Sequence, residues 1–326
     1  SIPSAAVTSS NFFSSRSFAN VVIATGTLVD ADNHLAMQHL TIQSGATLRL
    51  KSSGTFPLTG NIVNDGRLVA LPSSPGVYGS SNILFYGTNI QTLSGTGVYD
   101  TLGAFTVGAD AHVVMQKDLM LYGSSTSSVA GILELNTQVI SGIGKFQTRE
   151  AASVTTNVTS STVGSNIITL DPAAFSSGIN TANVAAGMLV SGSGILPNTY
   201  IINTSSSASS ITVSNPVTTS LSQITITNHA PTLTTAHPDG IDGSVMVTGT
   251  KSFGTGTNYT YNVSTVTPFP ISSNNIMGNV TFLAPVTTNK SVSIGGILNL
   301  QNGNFTIRAT DTVRMRTAAT IEGAPF

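Results

Sequence analysis

Cysteine and tryptophan are both absent from this chain of 326 residues, and charge is scarce. The missing cysteine excludes disulfide scaffolds, cysteine-ligated zinc, thiol nucleophiles and iron–sulfur clusters together. Only 8% of the residues are charged, 12 Lys+Arg against 13 Asp+Glu, where an average soluble domain carries about 25%. A net charge of −1 without a basic block argues against nucleic acid, because displacing phosphate counterions takes clustered Lys and Arg. No run approaches the ~18 apolar residues of a membrane-spanning helix. The first ten residues show neither the basic n-region nor the apolar h-region of a signal peptide. Scarce Glu, Lys and Arg beside abundant Thr, Val, Ile and Gly disfavour helices as well. What is present is 40% hydrophobic residues and 31 glycines, enough to bury a core. The expectation is an all-β chain.

The apolar pattern repeats every second residue in short runs broken by Gly, Asn or Ser. Leu40-Thr41-Ile42 meets a Ser44-Gly45 turn and then Ala46–Leu50; Gly60–Gly66 and Arg67–Leu71 follow. Alternation over four to six residues between turn formers is the strand signature. Asp171–Phe175 is at most one turn of helix. Internal repetition favours a solenoid over a sandwich. Leu102–Val107, Leu119–Leu121 and Gly131–Leu135 match Met277–Phe282, Val292–Ile294 and Gly296–Leu300 in order and apolar register. Stacked coils of a right-handed parallel β-helix produce such loose repeats, since inward positions exchange Val, Ile, Leu and Phe freely. Residues 154–227 differ: richer in Ser, Thr and Asn, with Gly187–Ile195, Pro197-Asn198 and Ile224–Thr227 arranged like hairpins. They read as an antiparallel β-sandwich-like domain inserted between coils. The division expected is 1–153 (terminal cap and first β-helix part), 154–227 (insertion) and 228–326 (second β-helix part). Phe12, Phe13 and Phe18 are candidates for covering the open end of the first coil.

Leu40–Leu48 with Gly60–Gly66, then Thr235–Gly243 with Gly249–Phe253 and Asn258–Asn262, and finally Gly296–Gly303, resemble repeats of large Bacteroidota cell-surface proteins, often exported by type IX secretion. The insertion resembles a small β domain of bacterial and phage surface proteins. The resemblance implies an extracellular, cell-surface solenoid, adhesive or scaffolding, whose partners are surface glycans, further copies of itself, or secretion and outer-membrane proteins. No sorting domain is visible before Phe326, so a longer parent protein is expected.

The chemistry available in the residues is thin. β-helices also carry polysaccharide lyases and hydrolases, and a glycosidase takes two carboxylates about 5–9.5 Å apart. The acids here are dispersed. Asp239 and Asp242, in Asp239-Gly240-Ile241-Asp242-Gly243, form the one local pair and are candidate Ca²⁺ ligands, although their Gly spacing reads first as a turn. No other cofactor is expected. His34, His39, His112, His229 and His237 lack metal-binding spacing, and His237-Pro238-Asp239-Gly240 reads as a type I turn. Glu134 reads as an outward, solvated strand residue, and Asp110 and Asp118 as turn residues without a role. Arg308, Arg314 and Arg316 are the one basic concentration and the candidate binding residues, for an anionic polysaccharide or a neighbouring chain. Thr101 and Thr312 sit in the Asp-Ser/Thr-apolar pattern that Bacteroidota O-glycosylate. The expected function is a non-enzymatic adhesin or stalk component; a polysaccharide-active enzyme of tailspike type and cargo of a secretion machine are the alternatives.

Overall fold

The computed structural model describes residues 17–31, 36–50, 54–70, 81–100, 102–123, 125–171, 184–205, 209–272, 276–301 and 304–323. Phe12, Phe13, His34, Thr101 and most of Asp171–Phe175 lie outside them. Short strands wind into a parallel β-solenoid, each hydrogen-bonded to the strand one coil before and one coil after it. On the first face, Val22 lies beside Thr41, Thr41 beside Val63 and Val63 beside Ser94. The same ladder continues through His112, Ile132, Thr232 and Asn258, then from Tyr259 through Val280 and Leu298 to Ile321. The second face begins with Leu28–Ala31, Thr47–Leu50, Arg67–Ala70 and Val98–Asp100. The third includes Thr55–Leu58, Asn82–Phe85, Ala104–Val107, Thr126–Val129 and Lys145–Thr148. Neighbouring coils are spaced about 4.8 Å along the axis by the strand-to-strand hydrogen bond.

Alternation in the sequence explains the cross-section. In Thr47–Leu50 the burial pattern alternates, with Leu48 and Leu50 inside and Arg49 half-exposed. Arg49 donates to Asp30 on the coil below, Nε to Oδ1 at 2.5 Å and Nη2 to Oδ2 at 2.8 Å, a bidentate pair that stacks in register with the backbone. Inward residues make one continuous apolar core from Val21 to Leu298. Its C-terminal part is aromatic: Tyr261, Phe269, Phe282 and Phe305 contact one another at 5.0–6.4 Å between ring centroids.

The repeats proposed from the sequence are coils, but their phasing differs. Leu119–Leu121 belongs to the second face, whereas Val292–Ile294 pairs Val313–Met315 on the third. Gly131–Leu135 and Gly296–Leu300 do share the first face. All three faces bury the same alternating residues, so apolar register alone does not say which face a strand occupies.

The inserted antiparallel strands close into a six-stranded barrel around their own core of Ile168, Leu170, Val190, Ile201, Ile211, Val213, Ile224 and Ile226. Two strands carry the closure. Ala152–Ser161 pairs Gln223–Asn228 along its first half and Ile167–Leu170 along its second, with an irregularity between Val158 and Ser160. Thr199–Ser205 likewise passes from Leu189–Ser191 to Ser210–Val213. Each strand bends from one sheet to the other, so the two sheets of a sandwich become one. The solenoid ladder ignores the insertion: Leu133 lies beside Leu233 and Phe146 beside Lys251.

Two predictions follow from this geometry. A Cβ added at Gly97 would lie 2.2 Å from the Gly66 carbonyl oxygen, because Val98 N–H bonds that carbonyl across the coils. Gly97→Ala is expected to cost about 1–3 kcal/mol, read as a lowered midpoint in thermal unfolding. Second, Val129 and Thr148 stack, as do Ile132 and Thr232, and only Ala130-Gly131 joins Val129 to Ile132. Replacing residues 149–231 by Ala-Gly is therefore expected to leave a folded solenoid with a strand-type circular dichroism spectrum and a cooperative melt.

Candidate functional site

Two built features stand out, a groove on the second face and the seat of the barrel. The groove has a volume of about 530 Å³ and spans three coils. Thr265 pairs Val286, and Val286 pairs Phe305; these three point inward, Thr265 and Val286 buried and Phe305 half-buried. Their neighbours therefore point outward in two rows along the axis, Ser264, Pro285 and Asn304 in one and Val266, Thr287 and Thr306 in the other. Pro238 and Asp239 complete the lining from the coil before. The aromatic cluster lies behind this floor and makes it stiff.

The turn that supplies Asp239 is the one expected. Gly240 N–H donates to His237 O at 3.0 Å, and Asp239 has φ −91° and ψ 19°, the third position of a type I turn. It then continues into a short helix, Gly240–Ser244, that the glycine spacing, read as a turn, did not reveal. The helix turns Ile241 fully into the core and separates the two acids. Asp239 is 77% exposed at the groove, 3.9 Å from His237 Nδ1. Asp242 instead accepts from Lys251 Nζ at 3.3 Å and from Ile271 N–H at 2.8 Å. Among the described residues no group of three or more His, Asp or Glu is placed to hold a metal.

Several small polar side chains on the solenoid are committed to backbone. Asn61 Oδ1 accepts Thr92 N–H at 2.9 Å, Asp118 Oδ1 accepts Val139 N–H at 2.8 Å, and Asn279 Oδ1 accepts Ile297 N–H at 2.8 Å. In the groove, Thr265 Oγ1 accepts Thr267 N–H at 3.1 Å, and the side chains of Ser264, Thr287, Asn304 and Thr306 bond to no described residue.

The arginines separate. Arg308 is exposed and donates Nη2 to Val266 O at 3.0 Å, reaching back from its own coil beside the groove. Arg314 and Arg316 are exposed on the third face, where Arg314 is in register with Ser293. Thr312 is exposed, with its N–H bonded to Ser291 Oγ at 2.9 Å. Glu134 is less free than alternation implied: it lies 2.7 Å from His112 Nε2 on the adjacent coil.

The second feature centres on Asp110, a turn residue without apparent role in the sequence. Its Oδ2 accepts the Tyr200 hydroxyl of the barrel at 2.9 Å, and its Oδ1 is 2.9 Å from His229 Nδ1 on the segment returning to the solenoid. Burial, then the bond to Asp110 and its charge, push the Tyr200 phenol well above its ordinary value, so it stays a donor. Ala109 N–H bonds Gly187 O at 2.8 Å, and a Cβ added at Gly187 would lie 2.8 Å from Gly108 Cα. Tyr86 meets the Tyr200 ring edge-on at 5.7 Å. No signal in the sequence linked Asp110 to residues 90 and 119 positions away.

No family model, curated protein or solved structure matches this chain. Among the described residues no helix is long and apolar enough to cross a membrane.

Removing the phenol in Tyr200→Phe is expected to cost about 1 kcal/mol, and Asp110→Ala about 1–3 kcal/mol because a buried donor loses its acceptor. Thermal unfolding gives both values. Faster amide exchange at Ala109, whose N–H is bonded to the Gly187 carbonyl, in each variant locates the loss at the seat.

Proposed function

We propose that this chain is a non-enzymatic extracellular scaffold, an adhesin or stalk component, whose solenoid carries the barrel as a fixed side module. The observation that carries the reading is the solenoid ladder resuming past the insertion, with Leu133 beside Leu233, while the insertion itself is bonded to the solenoid through Asp110–Tyr200. Such a design holds a module at a set place on a stiff rod. The Bacteroidota surface repeats resembled by Leu40–Leu48 and Asn258–Asn262 favour the same setting, with type IX secretion as the export route and surface glycans, copies of the chain or outer-membrane proteins as partners. Low charge fits it too, because solenoid faces are filled by Ser, Thr and Asn, whose hydrogen bonds resist changes in salt better than surface ion pairs do.

The groove speaks for holding rather than cutting. Its lining contains one carboxylate, Asp239, where glycoside hydrolysis takes two. Asp30, Glu134 and Asp242 each sit against a cationic or imidazole partner on their own stretch of the solenoid. An exposed Thr312, in an Asp-Thr-Val context, is the described candidate for O-glycosylation.

Antibodies raised against this chain are expected to label intact, unpermeabilised cells of the source organism. Labelling that appears only after permeabilisation overturns the reading.

A further inference from the structure

We infer that the groove over Thr265, Val286 and Phe305 is a binding site for a neutral oligosaccharide. This deepens the adhesive reading by naming a ligand class and a place, and it is testable on the chain in solution.

Three observations point the same way. First, Ser264, Thr287, Asn304 and Thr306 border one concavity and their side chains bond to no described residue, so four unengaged donors and acceptors share one recess. Hydroxyls and an amide both donate and accept, which is the complement of a polyol. Second, these polar groups alternate with Val266 and the two prolines. That mixture suits a pyranose ring, with its apolar C–H face and polar rim; few fixed polar groups among apolar ones are the usual make-up of a small-molecule site. Third, the size fits. A volume of about 530 Å³ falls within the range of roughly 300–1,000 Å³ for ligand pockets. Three coils at a spacing of about 4.8 Å give a floor about 10 Å long, room for roughly two sugar rings.

Charge narrows the class. Asp239 is exposed at the rim and offers a charged acceptor to a sugar hydroxyl. The guanidinium of Arg308 lies outside the groove's lining, with Nη2 on the Val266 carbonyl. The lining carries one charge, the Asp239 carboxylate, so a neutral chain gains that contact without the repulsion an acidic sugar would meet at it.

Saturation-transfer-difference NMR of the whole chain with cello-, chito-, manno- and xylotetraose, and with tetragalacturonate as the acidic arm, tests this. At least one neutral tetrasaccharide is expected to show transfer at millimolar concentration. Thr287→Val with Thr306→Val, which removes two hydroxyls and keeps the shape, is expected to weaken it about tenfold, with the thermal midpoint unchanged. Asp239→Asn is expected to weaken it as well, and Thr281→Val on the first face to leave it alone. Absence of transfer from every neutral sugar overturns the site. So does transfer confined to tetragalacturonate or to a Ser/Thr-rich peptide, or transfer insensitive to the threonine pair. A negative result leaves the surface-display reading standing, since that is decided by labelling of intact cells.

Discussion

Every coil of this protein depends on handing its backbone N–H groups to carbonyl oxygens one coil away. Along the faces the parallel ladders do this directly, as at Val98 N–H to Gly66 O and Leu40 N–H to Asn61 O. At the corners the chain turns and the ladder lapses, so side chains stand in. Asn61, Asp65, Asn258, Asn279 and Ser291 each accept an N–H from the following coil at 2.6–2.9 Å. A buried N–H without a partner is costly, and short polar side chains reach it without needing charge. The unusual composition, poor in ions and rich in Asn, Ser and Thr, follows from that requirement.

The same rule makes the groove legible. Where a small polar side chain is not needed by the next coil, it is available to something else, and Ser264, Thr287, Asn304 and Thr306 are such residues. The floor beneath them is held by interlocking aromatic rings, including Phe282 and Phe305 at 5.0 Å. That core is not perfectly economical: the Tyr261 hydroxyl is buried without a hydrogen-bond partner, and burial pushes its phenol far above the ordinary value.

The barrel illustrates how a solenoid accepts an insertion. A corner between two faces is where a coil can be opened with the ladders on both sides kept, and the chain leaves after Thr148 and returns at Thr232 to resume register. Insertion alone would leave a tethered module. The Asp110 contacts with Tyr200 and His229, and the close approach of Gly108 to Gly187, turn the tether into a seat.

Period-two alternation in segments such as Thr47–Leu50 and Ile62–Asn64 determined by itself that the chain is all-β, and loose repetition determined that it is a solenoid. Both are local properties, because burial on one side of a strand is written in every second residue. The contrasting composition of residues 154–227 likewise marked the insertion. The phase of each coil was not local: Leu119–Leu121 and Val292–Ile294 look alike and lie on different faces, since all faces bury the same apolar residues. Closure of the inserted sheets depended on two strands bending between them. The short helix at Gly240–Ser244 was masked by glycines that read as a turn, and it sent Asp239 and Asp242 to different neighbours. The seat at Asp110 and the two rows of the groove exist only through stacking of residues about twenty or more positions apart. Sequence fixes what a side chain can offer, and the coil-to-coil register decides what stands opposite it.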